Sequence, residues 1–396
     1  MTTNAQSQSS LRSLIGISLL SGAGSLPYQI TPLIVAMLVH QSRASISEAG
    51  AIASAILVGQ LVSSIVLPKR AGIATRSRFM IASTALLVVG LWLTVVHTLL
   101  FAITGWFLVG VGCGALVYMG TIVSAQQARR KFAFTLRLGV AAILTGLVAG
   151  LLWVGLALEN YDLFIAIMTA FYFAVLLAGV FLTRTAAVAP LIEKRPNVDE
   201  CKISGLVGLS IAYLLFTGQA GFAAFALQQG GSHGIGMEDA VWTLVIVNLI
   251  AGCGLLLLAR REVGPCDSEF SFAPSGLLAI SIATMSLTTN LAAFFIGYLI
   301  LKIALNALSA QLRAKVAEVS PSFGARWLPA AILLGAATGP WLNGLAIACG
   351  AAKVFLVFAI ASALVPPIWA LLVCHRQSSG RFGWKKSAAA GLMSRN

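Results

Sequence analysis

Apolar residues gather into twelve stretches along the chain, near 12–39, 47–67, 79–96, 98–125, 136–157, 161–183, 203–229, 239–259, 273–290, 291–312, 327–349 and 353–374, with polar residues confined to short loops between them. At ~1.5 Å of rise per residue, a helix of about 20 residues crosses the ~30 Å hydrocarbon core of a bilayer. Lipid offers no water to a backbone N–H or C=O, so a segment that crosses it must be helical or part of a closed barrel. Runs this long, without strand alternation, predict an all-α membrane protein of twelve transmembrane helices. The run from Leu14 to Val39 is too long for the apolar core of a signal peptide and reads as a retained first helix.

The loops carry an orientation signal. Basic residues cluster in every second loop: Lys69, Arg70, Arg76 and Arg78; Arg129, Arg130, Lys131 and Arg137; Arg184, Lys194, Arg195 and Lys202; Arg260 and Arg261; Arg313, Lys315 and Arg326. With Arg12 at the start and five more in the tail, 23 of the 26 Lys and Arg fall on one side. Positive-inside bias then places both termini in the cytoplasm, in a bacterial inner membrane. The longest internal loop, 183–202, is polar and basic with Pro190 and Pro196. It divides the chain into two six-helix bundles, 1–182 and 203–375, followed by a basic cytoplasmic tail, 376–396.

Composition agrees: 59% hydrophobic, 10% charged and a mean hydropathy of +0.93, against about 25% charged for a soluble domain. The net charge of +14, which in a soluble protein would point to nucleic acid, is absorbed by the orientation signal. The six cysteines show no CxxC or Cys/His spacing, so neither a disulfide framework nor a metal site is expected, and no cofactor motif is present.

Taken together, the chain resembles the major facilitator superfamily over essentially its whole length. Three local patterns carry the likeness beside the 6+6 arrangement. Gly59 to Arg78 looks like that family's loop between helices 2 and 3, with Lys69-Arg70-Ala71-Gly72 where the family has an acidic-basic-x-Gly core. Trp106-Phe107-Leu108-Val109-Gly110-Val111-Gly112-Cys113-Gly114 is similar to the family's Arg-Phe-Leu-x-Gly-x-Gly-x-Gly, with Trp106 in place of the arginine associated with proton coupling. Gly335-x-x-x-Gly339-Pro340-x-x-x-Gly344 is close to its glycine-proline pattern in helix 11, a pattern that close helix packing through small residues also explains. The resemblance implies alternating access, with helices 1, 4, 7 and 10 around a central cavity.

One charge stands out in that frame. Lys302 lies near the centre of Leu291–Gln311, about 16 Å from either interface and beyond the reach of snorkelling. A lysine there costs roughly 2.5–3.5 kcal/mol on insertion scales, so it is expected to face water or protein. Tyr298, Lys302, Asn306, Ser309 and Arg313 recur every three or four residues and share a helix face. The alternative is a structural lysine bonded to backbone carbonyls. Tyr28 and Gln29, between Pro27 and Pro32 in helix 1, Tyr213 and Gln219 in helix 7, and Tyr118 in helix 4 complete the candidate lining.

An aromatic and amide cavity with one fixed cation favours a small organic anion with an apolar or aromatic body. Efflux of amphipathic drugs or metabolites is the alternative transport reading, and a non-transporting membrane sensor of the same fold is a third. No Asp or Glu is expected deep in any helix, which leaves proton coupling, exchange and facilitated diffusion all open. No catalytic constellation appears, so no enzyme is expected. The expected partners are a small-molecule substrate and the lipid bilayer, with no nucleic acid, around a monomer.

Overall fold

The computed structural model describes residues 11–41, 43–67, 77–96, 98–126, 130–183, 202–260, 272–320, 323–369 and 371. All regular structure among them is helical. The helices are α1 (Leu11–Gln29), α2 (Thr31–His40), α3 (Ile46–Val66), α4 (Ser77–Leu93), α5 (Leu99–Gln126), α6 (Arg130–Ala157) and α7 (Tyr161–Thr183). Then come α8 (Lys202–Ala224), α9 (Ala226–Ser232), α10 (Met237–Arg260), α11 (Phe272–Leu287), α12 (Leu291–Val319), α13 (Phe323–Ala348) and α14 (Ala352–Trp369). Nine are long and apolar enough to cross a membrane, α1 and α2 qualify as one span bent by 45°, and two shorter apolar helices lie at Phe79–Leu93 and Phe272–Leu287. The basic tail falls outside the described residues, as does the inter-bundle loop apart from its end positions Thr183 and Lys202.

The helices outnumber the apolar runs because two runs break. In the first, Pro27 has no N–H for the carbonyl of Ala23, and Pro32 has none for that of Tyr28. The Tyr172 hydroxyl, from α7, donates to the Ala23 carbonyl at 3.2 Å, and the Thr31 hydroxyl donates to that of Pro27 at 2.8 Å. The axis turns at Ile30, one residue past Gln29. The second break, at Phe225, carries no proline; its N–H shortens its step to the carbonyl of Phe222 at 3.2 Å. A third difference concerns a boundary. The sixth helix starts at Arg130, six residues before the apolar run, because the intervening residues contain no Gly or Pro to stop it. Arg137 therefore lies inside the membrane-crossing segment Phe132–Ala157 and not in a loop.

Helix α3 opens with a capping box that satisfies two N-terminal donors: Ser45 Oγ accepts the N–H of Glu48 at 3.4 Å, and Glu48 Oε2 accepts that of Ser45 at 2.8 Å.

Packing relies on small residues. Between helices in lipid there is little hydrophobic drive, so backbones gain by approaching closely and by satisfying each other's polar groups. Helix α1 packs on α5, α6 and α7, α3 lies on α5, and α4 lies on α5 and α7. Later in the chain α8 lies on α13, and α12 on α10 and α11. A Cβ at Gly110 would meet the carbonyl oxygen of Ile56, and one at Gly114 would come within 2.8 Å of Gln60 Cα. Likewise Cβ atoms at Gly335 and Gly339 would meet the carbonyls of Tyr213 and Thr217. The glycine patterns of the fourth and eleventh segments thus seat α5 on α3 and α13 on α8. Two antiparallel pairs, α3 with α13 and α6 with α10, join the first seven helices to the rest. On the first pair, a Cβ at Gly50 would come within 2.5 Å of the Pro340 carbonyl, and the N–H of Trp341 donates to Ser54 Oγ at 3.0 Å.

Candidate functional site

Helix α12 sets the site. Its lipid-side residue Ile303 is 56% exposed, whereas Leu301, Ala304 and Leu308 are buried against neighbouring helices. The third face carries Tyr298, Lys302, Asn306, Ser309 and Arg313, as the spacing requires. Along that face Tyr298 is buried, Lys302 and Ser309 are half-buried, and Asn306 and Arg313 are exposed. Arg313 is open to solvent yet surrounded by protein, close enough to Tyr28 of α1 and Arg137 of α6 for their charges to interact. That combination places Arg313 at an accessible space beside α1 and α6.

The space is closed above Tyr298. Pro32 of α2, Ala226 and Leu227 of α9, Thr243 and Leu244 of α10, and Phe294 of α12 meet there around a narrow apolar crevice. Every residue of α2 from Thr31 to Leu38 is buried. On α1, by contrast, Ser25, Tyr28 and Gln29 are half-buried. Accessibility therefore increases along this face of α12 from Tyr298 toward Arg313.

Lys302 Nζ stands 5.7 Å from the centroid of the Tyr298 ring, a cation–π contact. Among the described residues it has neither an ion pair nor a hydrogen bond, and the described ion pairs, His40–Glu159 (3.9 Å) and Arg43–Asp162 (3.7 Å), lie at the opposite end. Tyr28 sits close enough to Tyr298 for their hydroxyls to interact electrostatically. Gln29 Nε2 donates to Ser25 Oγ at 3.2 Å within α1. Tyr118 is half-buried on α5, one turn before Thr121.

Two expected residues turn elsewhere. Gln219 is 1% exposed, and its Nε2 donates to the carbonyl of Ala359 on α14 at 3.4 Å. The Tyr213 hydroxyl donates to Thr338 Oγ1 on α13 at 3.4 Å. Both bonds tie α8 to its neighbours. Helical spacing could not separate these outcomes, because it does not say how α8 is rotated. Gly110, Gly114, Gly335, Gly339 and Pro340 lie at helix contacts, and Arg70 and Gly72 lie outside the described residues. Trp106 is fully buried beside Tyr161, whose hydroxyl donates to Thr94 Oγ1 at 3.0 Å.

Arg137 joins the space although its sequence position read as a basic loop. Its Nη1 donates to Thr121 Oγ1 on α5, and its guanidinium lies 5.5 Å from the Phe134 ring. The uninterrupted helix-forming run from Arg130 was the available signal.

No protein-family model matches this chain, and no curated protein matches it in sequence. Solved structures do match its fold. The human organic anion transporter MFSD10 (TETRAN) aligns with a TM-score of 0.60 at 14% identity, over 91% of this chain and 98% of that one. A POT family transporter in complex with 5-aminolevulinic acid aligns at 0.64 and 13%, over 91% and 94%. The nucleoside transporter NupG aligns at 0.62 and 12%, over 91% and 98%. At these identities the likeness concerns the fold alone, which this chain shares with those transporters. The chain is a multi-pass membrane protein with that fold.

Proposed function

We propose that this chain is a secondary transporter that carries small organic anions with an apolar or aromatic body by alternating access. One observation carries the reading. Lys302 is a cation midway along a membrane-crossing helix, half-buried, with no carboxylate partner among the described residues. A fixed charge at that depth is costly unless something mobile compensates it, and a carboxylate arriving along the accessible face of α12 would do so. Tyr298 beside it, with Tyr28 in electrostatic range of Tyr298, offers a ring face to an apolar body and a hydroxyl to a polar one.

In this reading the bent pair and the two shorter apolar helices count as spans, giving twelve, with halves at 1–182 and 203–375 joined by the 183–202 linker. Both termini are cytoplasmic in an inner membrane, so the accessible end of the α12 face lies toward the cytoplasm. The antiparallel pairs α3/α13 and α6/α10 are the seams about which the halves rock. The likeness to an organic anion transporter supports the anion class, while the POT family and nucleoside transporters of the same fold leave Lys302 as the deciding feature.

The test starts with a thermal-shift screen of purified protein against organic acids, followed by counterflow of the strongest stabiliser in proteoliposomes. Lys302→Ala is expected to lose both the shift and the counterflow while remaining monodisperse. Full transport by Lys302→Ala removes the lysine from the pathway.

A further inference from the structure

We infer that the apolar crevice above Tyr298 is the subsite for the substrate's apolar body, and that it restricts the carrier to monocarboxylates whose apolar end reaches past that ring. The inference rests on reading Lys302 as the counter-charge of an organic anion, and it adds which anions the site accepts.

Charge and crevice share a wall. The Tyr298 ring lines the crevice and also lies 5.7 Å from Lys302 Nζ. Phe294, one turn further along α12 at ~6 Å, lines the crevice as well. Lys302 stands on the accessible side of Tyr298 and the crevice on the buried side, where Leu227 of α9, Leu244 of α10 and Phe294 are almost fully buried. A molecule moving along this face of α12 therefore reaches the ammonium first, and only a part of it that extends beyond Tyr298 meets the crevice. None of the residues around the crevice is charged, and its hydroxyls are those of Thr243 and Tyr298. A second carboxylate carried into it would lose its water and find no cation, which is costly for a buried charge.

The crevice is narrow, and its walls come from both sides of the closed end. Pro32 belongs to α2, which packs on α9, whereas Leu227 and Leu244 belong to α9 and α10. A ring entering it has to part α2 from α9. Water gains few hydrogen bonds from such walls, while an apolar body gains by leaving water. The same contact thus selects the body and loosens the closed end.

Equilibrium dialysis of the purified full-length protein tests the subsite, with binding to protein-free micelles subtracted. The probes are phenylacetate, phenylpropanoate and phenylbutanoate, each with its ring on the terminal carbon, and the para-carboxy derivative of phenylbutanoate. Each added methylene is expected to tighten binding about twofold to fourfold, the upper value being the transfer of one CH2 out of water. The para-carboxylate is expected to weaken binding at least about a hundredfold relative to phenylbutanoate, because that charge is buried without a partner. Ala240→Leu, which fills the crevice, is expected to bring phenylbutanoate down to the affinity of phenylacetate. Leu244→Ala, which widens it, is expected to shift preference from phenylbutanoate to naphthylbutanoate. Equal affinities along a series that still requires Lys302, or equal binding of the dicarboxylate, overturn the inference and leave the anion reading standing. Absence of binding by every acid, or a length series unchanged in Lys302→Ala, overturns both.

Discussion

The bend in the first span rests on a bond that can be cut from either side. Pro27 leaves the Ala23 carbonyl without its helical donor, and Tyr172 supplies a replacement from α7 at 3.2 Å. Tyr172 is 1% exposed, so water cannot substitute for it. Replacing it by Phe keeps the ring and removes the donor. A stranded buried acceptor costs roughly 1–3 kcal/mol in soluble proteins. Interhelical bonds in membrane proteins average ~0.6 kcal/mol, because the unfolded chain in lipid also finds partners. Between these limits, Tyr172→Phe should destabilise the protein by ~1 kcal/mol. In a Pro27→Ala background residue 27 has an N–H for the Ala23 carbonyl, so the same Phe substitution should cost only a few tenths, about 0.3 kcal/mol. Reversible unfolding in mixed micelles, run as a double-mutant cycle, reads a coupling of ~0.7 kcal/mol as the difference. Additivity of the two substitutions would show that the carbonyl is satisfied some other way and that the proline account of the bend is wrong. Pro27→Ala should also lower transport, since straightening the helix moves Tyr28.

At the closed end, Gly50→Leu places a side chain where a Cβ alone already comes within 2.5 Å of the Pro340 carbonyl and 3.3 Å of Gly344 Cα. The protein should fold yet fail to close there, so Ser54→Cys, at a buried position of the seam, should become reactive to an impermeant thiol reagent added from that side; unchanged reactivity with normal transport would refute the seam. Ser45→Ala removes the capping box of α3 and should cost about 1 kcal/mol, read as a lower melting temperature with transport otherwise intact. Gly339→Val sets a branched side chain against the Thr217 carbonyl and should destabilise the α8/α13 contact more than Gly276→Val, a glycine with open space around it, destabilises α11; equal effects would show that close packing is not why Gly339 is there.

The residues divide plainly between what one helix dictates and what several decide together. The apolar runs and the stripe from Tyr298 to Arg313 were legible in the sequence. Lipid forces long apolar segments into helices, and a 3.6-residue period fixes which residues share a face. The prolines of the first span announced a break, though the turn came at Ile30. What sequence periodicity cannot supply is the rotation of each helix about its own axis, or which neighbour it meets. Gln219 and Tyr213 carry the same local signal as Tyr28, yet α8 is turned so that they bond to α14 and α13. Arg137 read as a loop charge until α6 was seen to start at Arg130 and to carry it alongside Thr121. Closure above Tyr298 likewise came only from the packing of α2, α9, α10 and α12. Those choices follow from contacts between backbones tens to hundreds of residues apart, made where small side chains allow them, and no single segment contains that information.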